Sequence, residues 1–254
     1  MDTTIKHTSI QDIKRRYEKL KEQGIIEKEF FECSKCEDKG YTFNEDNEVV
    51  WCECKLKKDA QERLEKSGLS DRVSSNTFKN YKTDDEQREK AVATCLDFIK
   101  NFKENQPSLI LMGEVGAGKT HLAIATCNKL LSKYAVKYVL YEEIRELKYS
   151  LTDRENYNNQ ITRLKNVQVL FIDDLFKILD RVTDPSRIKT ELEVVYEIIN
   201  YRYNKKKPVI ITTELNINQL MKIDKAIASR VLEMAKGYWV IFDGVELNYR
   251  IFGA

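Results

Sequence analysis

Three groups of residues have types and spacings that suit chemistry. The first is Gly113-Glu114-Val115-Gly116-Ala117-Gly118-Lys119-Thr120, set between the apolar run Leu109–Met112 and a helical pattern beginning at His121. A strand that feeds a tight turn into a helix aims unpaired backbone N–H groups and the positive end of the helix dipole at one spot, which favours an anion. Gly113, Gly116 and Gly118 permit the turn and let a phosphate approach the backbone. Lys119 reaches the β- and γ-phosphates, and the Thr120 hydroxyl suits Mg²⁺. With an apolar run before it and a helical pattern after it, this is a phosphate-binding loop.

The second group is the carboxylate pair that closes Val167-Gln-Val-Leu-Phe-Ile-Asp-Asp174. A buried strand ending in two acids sets them at its carboxyl edge, where open α/β sheets bind ligands. Asp173 is expected in the Mg²⁺ shell and Asp174 as the group that polarises an attacking water. The strand Pro208–Thr213 brings Thr212, Thr213 and then Glu214 to the same edge.

The third group is Cys33-Ser-Lys-Cys36 and Cys52-Glu-Cys54, fifteen residues apart. Two close thiol pairs joined by a loop can close a tetrahedral Zn²⁺ site, and the metal then replaces a core that so short a segment cannot build. The second pair is spaced more tightly than usual. His7 is too distant in sequence to be a good substitute ligand, and Cys95 and Cys127 sit singly in helical patterns as small core residues.

Stepping outward, the chain has 43 Lys and Arg against 41 Asp and Glu, a net charge of +2, so bulk charge does not drive nucleic-acid binding and any contact is local. With no run of eighteen apolar residues and no signal peptide, a cytoplasmic protein without membrane contact is expected. Residues 9 to 23 carry Ile10, Ile13, Tyr17 and Leu20 as a narrow apolar stripe on a charged helix, which either packs at home or docks a partner.

The organisation expected is a zinc-bearing segment with its preceding helix over 1–68, a linker over 69–82 rich in Ser, Gly and Asn, and a nucleotide domain over 83–254. In that domain, helices around 84–102, 121–132, 144–151 and 224–236 alternate with strands at 136–141, 167–174, 208–213 and 238–242, and a polar loop runs through Asn159. The alternation implies right-handed βαβ crossovers and a parallel sheet. Phe78 and Tyr81, just before the first helix, either flank a base or pack in the core. The connection 175–190 holds Lys177, Arg181, Arg187 and Lys189, which form either a solvated face or a contact for single-stranded DNA.

These segments resemble the AAA+ ATPases, and among them the DnaC/DnaI-type replicative helicase loaders, including phage versions. Gly113–Thr120 matches the first Walker motif and Val169–Asp174 the second. Ala228-Ser229-Arg230 looks like the arginine-finger segment, and Phe78–Tyr81 and Asn248-Tyr249-Arg250 also look like that group. The resemblance covers about residues 70 to 254, while the cysteine segment looks like the zinc-bearing, helicase-binding domain of the DnaI branch.

It implies an ATPase using Mg²⁺ that delivers a hexameric DnaB-type helicase onto single-stranded DNA, as a homo-oligomer on the helicase. Arg230 would reach a neighbour's γ-phosphate, and Arg250 would be the second sensor on a core lacking a helical lid. One position departs from the pattern: the first sensor is usually a neutral polar group, and here Glu214 aligns with it. A carboxylate there repels a γ-phosphate unless a cation intervenes, so either Thr213 serves as sensor or hydrolysis is weak. A transposase-helper ATPase of the IstB kind and an adaptor that holds ATP without turnover are the competing readings.

Overall fold

The computed structural model describes residues 19, 22, 31–43, 48–102, 108–147, 149, 153–177, 179 and 184–252. The expected stripe over 9–23 (as a helix), His7 and Arg181 lie outside these residues. The chain divides into two compact units, Met1–Lys58 and Asp59–Ala254.

In the smaller unit, β1 (Tyr41–Phe43) and β2 (Val49–Trp51) pair antiparallel, with Tyr41 opposite Trp51 and Phe43 opposite Val49. Both strands show their apolar side chains to solvent, and Phe43, Val49 and Trp51 are each more than half exposed. Among the described residues of this unit the buried side chains are Cys36 and Cys52.

The larger unit is built on a five-stranded parallel sheet: β3 (Leu109–Gly113), β4 (Val136–Leu140), β5 (Val169–Asp173), β6 (Val209–Thr213) and β7 (Trp239–Phe242), in the spatial order β4-β5-β6-β3-β7. The central strands read as unbroken apolar runs because helices cover both of their faces. On β3, Ile110 and Met112 join the core on one face, with Ile172, Ile198 and Ile211; Leu109 and Leu111 join the other, with Leu122, Phe171 and Ile210. The edge strand β7 alternates instead, with Val240 and Phe242 buried and Trp239 and Ile241 exposed. Register brings the strand ends level: Met112 pairs with Thr213, Ile172 with Ile211, and Leu140 with Asp173. Gly113, Asp173 and Thr213 therefore finish at one edge of the sheet.

The flanking helices begin where their caps dictate. Asp85 accepts the Arg88 N–H to start Glu86–Asn101, Asp184 precedes Pro185 at the start of Pro185–Asn204, and Asn216 with Gln219 forms a capping box on Ile217–Ile223. Two stretches differ from the sequence expectation. The helix expected over 144–151 is Tyr141–Glu146, and the stretch expected as a loop through Asn159 is already helical, because Arg154–Asn166 starts on the Asp153 cap. That helix is polar over most of its surface and buries only Ile161 and Leu164, so its periodicity is faint. The stretch 69–82 carries Leu69 and Tyr81 into the core beside the phosphate loop, with Val73 and Phe78 packed against it.

Arg202 is fully buried on Pro185–Asn204. Its guanidinium donates to the carbonyls of Leu164, Lys165, Val167, Gln168 and Pro208, tying the approaches to β5 and β6 together. Burial pulls its pKa down to about 9.

Candidate nucleotide site and four-cysteine cluster

The glycine-rich turn leaves β3 and enters the helix Lys119–Leu130 through Gly118, at φ 90°. Gly116 has φ 73°, and a side chain there would collide with the Asn248 amide. Only glycine meets both demands. The Lys119 amine donates to the carbonyls of Gly113 (2.8 Å) and Glu114 (2.6 Å), lying across the loop. Burial holds its pKa at about 8, below the usual 10.5, although Glu214, Asp174 and Glu114 pull the other way. A buried ammonium without a full ion-pair partner is a strong anion receptor.

Beside it, Thr120 donates to Asp173 Oδ1 at 2.8 Å, and the buried Thr212 hydroxyl donates to the same oxygen. The other carboxylate oxygen accepts from the Tyr138 hydroxyl at 3.2 Å and faces Arg72 at 3.9 Å. Burial raises the pKa of Asp173, while the hydroxyl donors oppose the rise. Asp174 follows in a left-handed conformation, φ 57°, with its N–H on the Thr212 hydroxyl at 2.9 Å. That turn swings Asp174 into a cavity of about 210 Å³ lined by Gly116, Lys119, Thr120, Lys177, Glu214 and Arg250 among others.

A second cavity of about 260 Å³ adjoins it, sharing Gly116, Gly118 and His121, and is walled by Tyr81, Arg88 and Tyr249. Tyr81 donates to the Ala117 carbonyl at 3.0 Å and packs edge-on to His121, which is held by the Thr77 carbonyl at 2.8 Å. One cavity is charged and the other aromatic. Together they suit a phosphate chain and a base.

Most of the expected phosphate-end residues therefore meet: Gly113 through His121, Asp173, Asp174, Tyr81 and Arg250. Two do not. Thr213 is wholly buried, with its hydroxyl donating to the Leu175 carbonyl at 2.8 Å and accepting the Leu215 N–H, so it cannot turn to the cavity as a sensor. Phe78 packs on the core and is not a cavity wall. Arg230, expected to serve a neighbour's site rather than this one, has its guanidinium bonded to Asn200 (3.1 Å) and the Ala226 carbonyl (2.9 Å) and stacked near Tyr196 and Tyr203.

The sequence assigns no site role to Tyr138, Arg72 or Tyr249, and it places Lys177 in a connection read as either a solvated face or a contact for single-stranded DNA. Lys177 instead bonds Asp174. Its spacing of three residues from that acid was the available signal. Arg187 and Lys189 pair with Glu191 (3.0 Å) and Glu193 (4.0 Å).

In the smaller unit the four thiols of Cys33, Cys36, Cys52 and Cys54 lie within 4.8 Å of one another, with Cys33–Cys52 at 3.7 Å and Cys36–Cys54 at 3.4 Å. A tetrahedron with metal–sulfur bonds of about 2.3 Å has edges of about 3.8 Å, so the donor set fits Zn²⁺. The turn that carries Cys36 runs through left-handed Glu37, Asp38 and Gly40, and Asp38 accepts the Cys33 N–H at 2.9 Å. Backbone N–H donors around Cys36 and Lys35 pull the Cys33 thiol down to about 7, while its hydrogen bond to Cys36 pushes Cys54 up to about 12.

A family model for the IstB-like ATP binding protein matches residues 10–235. The chain belongs to that family. Among curated relatives of this IstB-family chain, YqaM of Bacillus subtilis, an uncharacterised protein, is 33% identical over 79% of the chain; the chain spans 66% of YqaM's length. The phage-like element PBSX protein XkdC of the same species is 30% identical over 88% of the chain and 87% of its own length. The replicative helicase loader DnaC of Escherichia coli is 26% identical over 76% of the chain and 77% of its own. Among solved structures, the DnaC helicase loader superposes with a TM-score of 0.53 at 25% identity, over 68% of this chain and 99% of that one. The fold is accordingly that of an AAA+ phosphate-loop ATP-binding domain. Among the described residues no helix is long and apolar enough to cross a membrane.

Proposed function

We propose that this IstB-family chain is an ATPase that loads a DnaB-type ring helicase onto single-stranded DNA. The observation that carries the reading is the juxtaposition of Lys119, the Thr120–Asp173 pair and Asp174 around one charged cavity, continuous with an aromatic one. Lys119 and the loop amides bind the phosphates, and Tyr81 and Tyr249 flank the base. Asp174 orients and polarises a water for attack on the terminal phosphorus. Thr120 and Asp173 would hold Mg²⁺, which neutralises phosphate charge when bound. The similarity to DnaC supports replication, a helicase partner and single-stranded DNA as the destination. The four thiols support a Zn²⁺-held segment over the first part of the chain, with the ATPase domain following it.

Arg230 is remote from the cavity of its own chain, so its role is in a neighbour's site within a homo-oligomer, where a guanidinium stabilises charge developing on the transferred phosphoryl group. ATP turnover per subunit should rise with protein concentration and with helicase and single-stranded DNA, and Arg230→Ala should lose at least tenfold of it while ATP still binds. Turnover independent of concentration and unaffected by the substitution would refute the shared site.

The match to the IstB-like model favours a second reading, a helper ATPase for transposition. The discriminating measurement is binding to a DnaB-type hexamer: stoichiometric binding supports the loader, and no binding with retained affinity for duplex DNA supports the helper.

A further inference from the structure

Glu214 is an acid at the phosphate edge to which the reading above gives no role, and Lys177 stands directly against it. The Lys177 amine lies 2.7 Å from Asp174 Oδ2 and 3.4 Å from Glu214 Oε1, bridging the two acids. All three side chains line the cavity that also holds Lys119, Thr120 and Arg250. The bridge is built into the backbone. Leu175 and Phe176, both 1% exposed, anchor the turn between Asp174 and Lys177 in the core. Phe176 has φ 62°, the Leu175 N–H donates to the Thr212 carbonyl at 2.8 Å, and the Lys177 N–H donates to the Asp174 carbonyl at 3.0 Å. Lys177 therefore leaves a short, core-anchored turn beside both acids, its side chain 43% exposed at the rim of the cavity.

The charges around the cavity show what the bridge is for. Asp173, Asp174 and Glu214 bring three carboxylates to a place meant for a polyphosphate, and Lys119, which lines the same cavity, donates in the free protein to the Gly113 and Glu114 carbonyls and not to these acids. A carboxylate a few ångströms from a terminal phosphate costs several-fold to a hundred-fold in affinity at the effective dielectric of a protein surface. One ammonium shared between Asp174 and Glu214 cancels that cost while leaving Asp174 beside the attack position.

Resting on the nucleotide-site reading, we propose that Lys177 is the resident counter-ion of Glu214 and the residue that makes a terminal phosphate acceptable at this edge. The preference for a nucleoside triphosphate over a diphosphate then depends on the Lys177–Glu214 pair. The diphosphate ends short of the pair and is indifferent to it. Lys177 is a positioning residue, acting on the substrate through the acid it neutralises.

The test is the affinity for a non-hydrolysable ATP analogue and for ADP, both with Mg²⁺, in wild type, Lys177→Met, Glu214→Gln and the double variant. Lys177→Met should weaken the analogue roughly tenfold and ADP by less than about twofold, following the loss of one charge partner. Adding Glu214→Gln to it should return the analogue to near the wild-type affinity, and Lys177→Arg should retain it. Equal weakening of analogue and ADP, or no recovery in the double variant, would overturn the pairing. Circular dichroism and the retained ADP affinity exclude misfolding as the cause. Lys119→Ala separates the two claims: if it leaves both affinities intact, the phosphate-loop reading has failed, whatever Lys177 does.

Discussion

The two units of this chain hold their chemistry in place by opposite means. Around the phosphate loop, the side chains that do the positioning are themselves positioned by a core: Leu109, Leu111, Phe171 and Ile210 are fully buried, Asp173 is set at the end of β5, and Lys119 opens the helix Lys119–Leu130. Around the four thiols the described residues build almost no core. The strands that flank the cluster expose Phe43, Val49 and Trp51, and the buried side chains among the described residues are two of the cysteines themselves. In one unit the fold makes the site; in the other the site makes the fold. Burial of apolar area stabilises the first without any ligand, whereas on the Zn²⁺ reading proposed above the second would depend on the ion that bridges its sulfurs.

Metal removal is the largest break available. A chelator, or Cys36→Ser, should unfold the smaller unit completely, since a structural Zn²⁺ site supplies on the order of 10 kcal/mol to a segment with little core of its own. The parallel-sheet unit should keep its melting transition and its nucleotide affinity. Metal content by mass spectrometry together with amide exchange over residues 31–54 reads this out. Protection that survives chelation would mean that the comparison is wrong.

The next break is within the larger unit. Arg202→Met removes the guanidinium from five carbonyl acceptors and leaves them buried, which should cost about 3–5 kcal/mol. Urea unfolding should show a lower midpoint at an unchanged slope, with zinc content untouched.

The smallest effect is a divergence with pH. Burial holds Lys119 at about 8 in the free protein against 10.5 as its ordinary value. Between these values the unfolded chain carries a proton that the folded chain lacks, so the stability of the ligand-free larger unit rises with pH across that window. Nucleotide affinity does the reverse, because phosphate requires the charged amine; it should fall by up to about tenfold per pH unit above 8. Calorimetric titration in buffers of different ionisation enthalpy should detect proton uptake on binding at pH 9 and little at pH 7. The thiols respond the other way, binding metal better as they deprotonate.

How much of this was legible in the sequence follows the same division. The loop Gly113–Thr120, the acids at 173–174 and the cysteine quartet are local patterns whose spacing carries their geometry, and the apolar runs of β3, β5 and β6 announce strands covered on both faces. What depended on tertiary context was not legible. Arg154–Asn166 buries just two apolar residues, so its polarity hid the helix that its Asp153 cap began. Thr213 and Thr212 are neighbours on one strand, and only the packing of Leu175 against the sheet decides that Thr212 serves Asp173 while Thr213 is sealed away. Arg202 looks like a helix-surface charge until the carbonyls it serves converge. Lys177 reads as a surface cation until the turn through Phe176 folds it onto Glu214.

The carboxyl-terminal stretch is fastened to the phosphate loop at three points. Glu114 donates its N–H to Phe242, Tyr249 donates its N–H to Gly116, and a side chain at Gly116 would strike Asn248. The loop and this stretch are therefore packed as one piece: backbone at Gly116 cannot shift toward the stretch without pressing on Asn248, and two residues past Tyr249 the same stretch shows Ile251 and Phe252 to solvent.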